Sequence, residues 1–322
     1  MFYVDDFLWD VIVYISGWIG LISVLTYLLM IALQQLFVRL PQDLKRKYNS
    51  QWAVVTGGSS GIGKAIAEKL AGQGVDVVLV ALDDALLKTT FEELQRRFPA
   101  RKFRKVGVNL GAYDAYMGPI IEATSDIRVN LVFNNAGYIC PGFFAETDFA
   151  KIRANFECNA GCSLGISHHF VRLMLERKER GLITFTSSAG CYLPGPTATL
   201  YSSTKAFMTN FAVTLAAEVK DAGIDVVVIH PSPVASNFYK TTGPQLDSLK
   251  QAQKAGVGPM VIANELFASA GRITVWDQGL VCVLFRTVNK VLDWQFFAEV
   301  VTRLGRVNGD HQKLVKESKL RN

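Results

Sequence analysis

The chain has 322 residues, half of them hydrophobic and 19% charged, with a formal net charge of +6. That length holds one large domain or two ordinary ones, and the apolar balance points to a membrane contribution. With no basic run interleaved with aromatics, no nucleic-acid partner is expected. Cys140, Cys158, Cys162, Cys191 and Cys282 form no CxxC pair. Cys158 and Cys162 stand four apart without clustered ligand partners, so they read as reduced structural thiols and no metal is expected.

From Val11 to Val38 there are 28 consecutive residues without a charge. A span needs about 20, so residues 1–40 are assigned as a transmembrane anchor. Asp5, Asp6 and Asp10 precede it where a signal peptide would be basic, and Arg39, Lys45, Arg46 and Lys47 follow. The charge bias places everything after residue 39 in the cytosol. Trp9 and Tyr14 suit an interface belt.

After a polar linker come six apolar strand candidates: WAVVTG, DVVLVAL, KFRKVGVNL, VNLVFNNAG, GLITFTSS and DVVVIHPSP. Helical stretches such as GIGKAIAEKLAGQG, DALLKTTFEELQRRF and TKAFMTNFAVTLAAEVKDAG lie between them. Strands apolar on both faces, each followed by a helix, imply an α/β fold with a doubly wound, Rossmann-like parallel sheet. Residues 48–240 are assigned to that nucleotide-binding and catalytic domain, and 241–322 to a substrate-side, amphipathic region. The ligand site is expected at the carboxyl ends of the strands.

TGGSSGIG, Thr56 to Gly63, falls between a strand and a helix. Gly57 permits the turn, Gly61 lets backbone approach a pyrophosphate, and Gly63 allows close helix packing. NNAG (Asn134 to Gly137) and TSSAG (Thr186 to Gly190) end later strands. Tyr201 stands thirteen residues after Ser188, and Lys205 four further on. On a helix that spacing puts phenol and ammonium on one face, where the ammonium is expected to lower the phenol's proton affinity. Lys205 has donors to spare for a ribose, and Ser188 can steady charge on a reacting oxygen.

In this order these motifs resemble the short-chain dehydrogenase/reductase superfamily, over about residues 50 to 240. The resemblance implies Tyr201 as acid/base, Lys205 as the residue orienting the nicotinamide ribose, and Ser188 as the residue positioning the carbonyl. It also implies a supporting Asn: Asn159, 29 residues before Ser188, with Asn155 as a rival. Cofactor contacts are implied at Thr56, Gly57, Ser59, Ser60, Gly61, Ile62 and Gly63. Others fall at Asn135, Ala136 and Gly137, at Tyr201 and Lys205, and at Pro231, Val234 and Ser236. In HPSPVAS, Ser232 replaces the usual Gly and Ser236 the usual Thr. His168 and His169 lie mid-helix without acidic or Cys partners and read as structural.

The family's selectors at the end of the second strand are absent, since Ala81 and Leu82 occupy those positions. Asp83 could reach the adenosine ribose, and Asn109 stands where an Asp commonly faces adenine. Asp84 or Asp83 also suits a helix cap. Family analogy favours NADPH, and local chemistry leaves NADH open.

The single span with its apolar carboxyl-terminal region resembles the endoplasmic-reticulum branch of very-long-chain 3-oxoacyl-CoA reductases and 17β-hydroxysteroid dehydrogenases. That implies reduction of a keto group on a lipophilic acyl-CoA or steroid-like substrate, by an enzyme in the endoplasmic-reticulum membrane that contacts membrane lipid. Family analogy adds a homodimer. A steroid, retinol or 3-ketosphinganine reductase is the alternative, and a silent nucleotide- or lipid-binding scaffold is the reading from another class. Residues 279–304 are apolar but broken by Arg286, Lys290, Asp293 and Glu299. They suit an amphipathic helix on the membrane or over the cleft, or one packed on the core. The terminal ESKLRN carries neither a peroxisomal nor a dilysine address.

Overall fold

The computed structural model describes residues 2–240 and 246–318. Residues 241–245, where the catalytic and substrate-side regions were divided, lie outside the described residues, as does most of the ESKLRN tail. The chain divides into two units, Met1–Pro41 and Gln42–Asn322.

The first unit is one helix, α1 (Phe2–Val38). Its segment Phe7–Val38 is long and apolar enough to cross a membrane. Large apolar side chains such as Trp9, Ile19 and Leu29 are exposed around it, surface that a hydrocarbon environment would remove from water.

The second unit begins with α2 (Leu44–Tyr48) and then alternates: β1 (Trp52–Thr56), α3 (Gly61–Gly72), β2 (Asp76–Ala81), α4 (Ala85–Arg97), β3 (Phe103–Gly107), α5 (Met117–Thr124) and β4 (Val129–Asn134). It continues through α6 (Phe149–Phe156), α7 (Cys162–Arg177), β5 (Gly181–Thr186), α8 (Thr199–Val219) and β6 (Ile224–Pro231). Last come α9 (Asp247–Ala255), α10 (Pro259–Ser269), β7 (Val275–Gln278), α11 (Gly279–Val291), α12 (Trp294–Leu304) and α13 (Gly309–Glu317). The strands form a single parallel sheet in the order β3-β2-β1-β4-β5-β6-β7, which is the doubly wound fold expected.

Every residue of β1, β4, β5 and β6 is buried, as strands covered by helices on both faces must be. Val54 pairs with Val78 on one side and with Val132 on the other. Phe133, Phe170, Phe185 and Trp276 are among the largest side chains fully removed from water. Each contributes about 2–3 kcal/mol relative to exposure. β7 extends the sheet by one strand beyond the six expected: its four residues include Asp277 and Gln278, which break the apolar pattern that marks the others.

The order reverses between β1 and β4, opening a crevice at their carboxyl ends. The stretch 279–304 is two helices, α11 and α12, separated at Leu292 and Asp293, where Asp293 caps α12 through Phe296 N. α11 packs on the body, with Cys282 buried, while α12 exposes Trp294, Phe296 and Leu304.

Candidate active site

A cleft of about 440 Å³ occupies the switch point. Of the residues singled out in the sequence, Gly57, Ser59, Ser60, Gly61, Ile62, Asn135, Ala136, Gly137, Ser188, Tyr201, Lys205, Pro231, Val234 and Ser236 line it.

The turn after β1 is left-handed at Gly57 (φ +64°) and Gly61 (φ +54°), a conformation that favours glycine. A Cβ on Gly61 would stand 3.3 Å from Ser236 Cβ. Gly63 lies behind the turn: a Cβ there would overlap Gly57 O and sit 2.7 Å from Asn135 Nδ2. Thr56 is buried and also supports from behind. Its hydroxyl accepts from Asn135 N at 2.9 Å and Ala136 N at 3.0 Å, stapling the NNAG loop to the glycine turn. Thr90 on α4 holds Ser59 O at 2.7 Å, a support that nothing in the sequence marks.

Asp148 caps α6 and Asp84 caps α4, the latter through Leu87 N at 2.9 Å. Ser60, at the start of α3, makes no such side-chain bond, so it leaves the first N–H groups of α3 uncapped where Gly61 and Ile62 line the cleft. Asp83 and Asn109 are not among the residues that line this cleft. The Asp83 side chain is turned onto Gly107 at the end of β3, and Asn109 Oδ1 accepts from Gly111 N at 2.9 Å.

Tyr201 and Lys205 share one face of α8, with Lys205 Nζ 5.7 Å from the Tyr201 ring centroid. Nζ donates to Thr186 O at 2.8 Å and retains further N–H groups. Ser188 follows β5, and its hydroxyl accepts from Gly190 N at 3.1 Å. Asn159 sits on a π turn, Glu157–Gly161, between α6 and α7. It accepts from Tyr138 N at 2.8 Å and donates to Tyr138 O at 2.9 Å, fixing the chain just after NNAG. Asn155 also donates to Tyr138 O, at 2.9 Å. Asn159 Oδ1 and Lys205 Nζ meet around Gly137: a Cβ there would lie 3.1 and 3.4 Å from them. Asn159 therefore approaches Lys205 across the loop, beside rather than within the cleft lining.

The electrostatic balance differs from that expected of a phenol beside an ammonium. Burial raises the Tyr201 phenol above its ordinary value, and a hydrogen bond with Ser188 opposes the rise. Burial also lowers Lys205, to about 8, against nearby cysteine thiols that raise it. Desolvation outweighs pairing because Lys205 is enclosed by β5 and α8.

The residues present fit a nicotinamide dinucleotide. The cradle is backbone N–H and glycine, and Thr186 Oγ1 is buried at the cleft with no hydrogen-bond partner among the described residues. The cleft lining also includes Ile139, Phe238, Tyr239, Leu249, Val281 and Phe285, which make an apolar wall. The Phe238 ring lies 5.6 Å from that of Tyr201. Sequence reading assigned this wall only to a region. Its members come from the loop after β4, the turn after β6, α9 and α11, and no local motif joins them. His168 is exposed and His169 packs edge-on to Phe170.

The family model for short chain dehydrogenases matches residues 51–247. The chain is 34% identical over 203 residues to the very-long-chain 3-oxoacyl-CoA reductase of Mus musculus, covering 61% of this chain and 64% of that protein. Over 271 residues it is 29% identical to the Scheffersomyces stipitis protein of the same name, covering 78% of each. The match thus spans less than two thirds of the mouse protein's length. Among solved structures, one described for 7β-hydroxysteroid dehydrogenase stereoselectivity superposes with a TM-score of 0.68 at 22% identity, covering 82% of this chain and all of that one. The L-sorbose reductase of Gluconobacter frateurii, complexed with NADPH and L-sorbose, gives 0.62 at 25% identity, covering 71% and 95%.

Proposed function

The chain belongs to the short-chain dehydrogenase family, and from that premise we propose that it is an NADPH-dependent reductase of a 3-keto group on a very-long-chain acyl-CoA. The observation that carries the reading is a single cleft lined by the glycine turn, by Ser188, Tyr201 and Lys205, and by apolar side chains such as Phe238 and Phe285. Curated relatives named for that substrate support it.

The cofactor, when bound, supplies a hydride to the keto carbon. Tyr201 hands its phenolic proton to the carbonyl oxygen, and Ser188 donates a hydrogen bond to the same oxygen as negative charge develops there. Lys205 holds the β5 end through Thr186 O and offers its remaining donors to a ribose. Asn159 keeps the NNAG loop against the Lys205 ammonium. The apolar wall excludes water and takes the acyl chain. Asp83 and Asn109 are assigned to the outer rim of the adenosine end.

The single span α1 anchors the enzyme in the endoplasmic-reticulum membrane, with the catalytic body on the cytosolic side that Arg39, Lys45, Arg46 and Lys47 favour. Exposed Phe207 and Val213 on α8 support a homodimer through that helix. The test is a substrate panel with purified protein: 3-oxohexadecanoyl-CoA, a 17-ketosteroid and 3-ketosphinganine, each with NADPH and NADH. The acyl-CoA should oxidise NADPH fastest. A faster steroid or sphingoid base would move the reading to that substrate, and no oxidation with any of them would end the reductase reading.

A further inference from the structure

His230 directly precedes the cleft residues Pro231 and Ser232 and has no solvent exposure. Its Nδ1 stands 2.7 Å from Asp277 Oδ1 and its Nε2 2.9 Å from Thr209 Oγ1. Asp277 Oδ1 also accepts from the Tyr192 hydroxyl at 2.8 Å and from the Cys282 thiol at 3.4 Å, while Oδ2 accepts from Arg286. Thr209 donates to Lys205 O at 2.9 Å, and Ser187 Oγ donates to the same carbonyl at 2.8 Å. Five elements therefore converge on one buried pair: β6, β7, α8, the turn after Ser188, and α11.

Burial would press the His230 imidazole toward neutrality, but hydrogen bonding and charge from Asp277, with Cys191, outweigh it and bring the ring up to about 9. Burial likewise pushes the Asp277 carboxyl up, and His230 and Arg286 more than offset that, holding it well below the usual range. As an imidazolium, His230 donates through both nitrogens, which leaves the Thr209 proton for Lys205 O. His230, Asp277 and Cys282 place donor atoms within 4.8 Å of one another, a set zinc accepts. Here the carboxylate is already engaged on both oxygens, and the Arg286 guanidinium opposes a dication.

α11 presents Val281 and Phe285 to the cleft. Its first turn is held by Ser232, whose hydroxyl donates to Gln278 O at 2.6 Å and accepts from Cys282 N at 3.1 Å. Gly279 (φ +81°) makes the room, since a Cβ there would stand 2.6 Å from Ser232 Oγ. Further along, Asn289 donates to Tyr192 O. The Ser that replaces the usual Gly is thus a bolt between the nicotinamide loop and α11.

We propose that His230, Asp277 and Arg286 form a positioning lock that holds the acyl-chain wall on α11 in register with Ser188 and Tyr201. The lock rests on the reductase reading for its consequence in turnover. None of the three lines the cleft, so each acts through its neighbours.

Arg286→Gln and Arg286→Lys are compared with wild type on 3-oxohexadecanoyl-CoA and acetoacetyl-CoA, with NADPH. Loss of the lock should raise KM about tenfold for the long ester and less than about twofold for the short one, with Arg286→Lys restoring most of the difference. Equal effects on both esters, or no rescue by Lys, would overturn the lock. Amide hydrogen exchange gives a reading that needs no substrate. In Asp277→Asn, residues 188–192 and 279–291 should exchange faster while β1 to β4 stay protected. Tyr192→Phe is read the same way where Asp277→Asn does not fold. Unchanged or uniformly faster exchange contradicts the lock. Wild-type protein that reduces neither ester contradicts the reductase reading, and exchange alone then decides the lock.

Discussion

Lys205 is buried and Tyr201 half-buried at the cleft, and burial shifts the proton affinity of each more than the other's charge does. Tyr201→Phe removes the transferred proton and leaves the cradle intact. Its kcat should fall by about 10²–10⁴ while NADPH affinity, read by fluorescence titration, stays within about twofold. Lys205, lowered to about 8, is charged below that pH and neutral above it. The kcat/KM for reduction should accordingly fall as pH rises through about 8, and a profile flat to pH 10 would remove Lys205 from the mechanism. Ser188, Tyr201, Lys205 and Asn159 were singled out in the sequence through a motif order that resembles a known family, and it is the fold that brings the end of β5, α8 and the π turn near one another. The reversal of the phenol's expected shift was not legible there, since burial depends on elements far apart in the chain. Thr186 and Thr90 were invisible for the same reason: a hydroxyl is informative only once its neighbours are known.

Among the elements, the glycine turn is the one whose geometry leaves least freedom. Gly63→Ala puts a Cβ onto Gly57 O, so the turn or α3 must move, and NADPH affinity should fall by at least about tenfold with the protein still folded. Isothermal titration of the two proteins checks this; unchanged affinity would mean that the turn is not the cradle. β2 ends differently. Asp84 caps α4, as helix-cap chemistry suggested, and Asp83 faces Gly107 on the exposed rim. A screened, exposed charge should discriminate weakly, so Asp83→Ala is expected to change the NADPH-to-NADH ratio of kcat/KM by less than about threefold. A larger change would place Asp83 at the ribose. β7 escaped the sequence reading because Asp277 and Gln278, polar within a strand, bind His230 and Ser232 N rather than join the apolar core.

At the scale of the whole molecule, an apolar helix of span length accompanies a self-contained α/β body. Removal of residues 1–41 should leave a folded protein that reduces acetoacetyl-CoA and no longer pellets with phosphatidylcholine vesicles. Retained pelleting would show a second membrane contact in the body. The sequence could not choose between membrane and core for residues 279–304, because a helix shows the same amphipathic pattern against either. The structure divides the stretch, giving α11 to the cleft and leaving α12 with Trp294 and Phe296 exposed. The fold thus followed from local patterns, whereas the apolar lining of the cleft arose only from long-range packing. The central claim is hydride delivery to a 3-keto carbon with the proton coming from Tyr201. It is tested most directly with NADPH deuterated at the nicotinamide C4 and 3-oxohexadecanoyl-CoA as substrate. Mass spectrometry should find deuterium at C3 of the 3-hydroxyacyl product with wild type and almost no product with Tyr201→Phe. Undeuterated product, or equal product from the variant, would contradict the account.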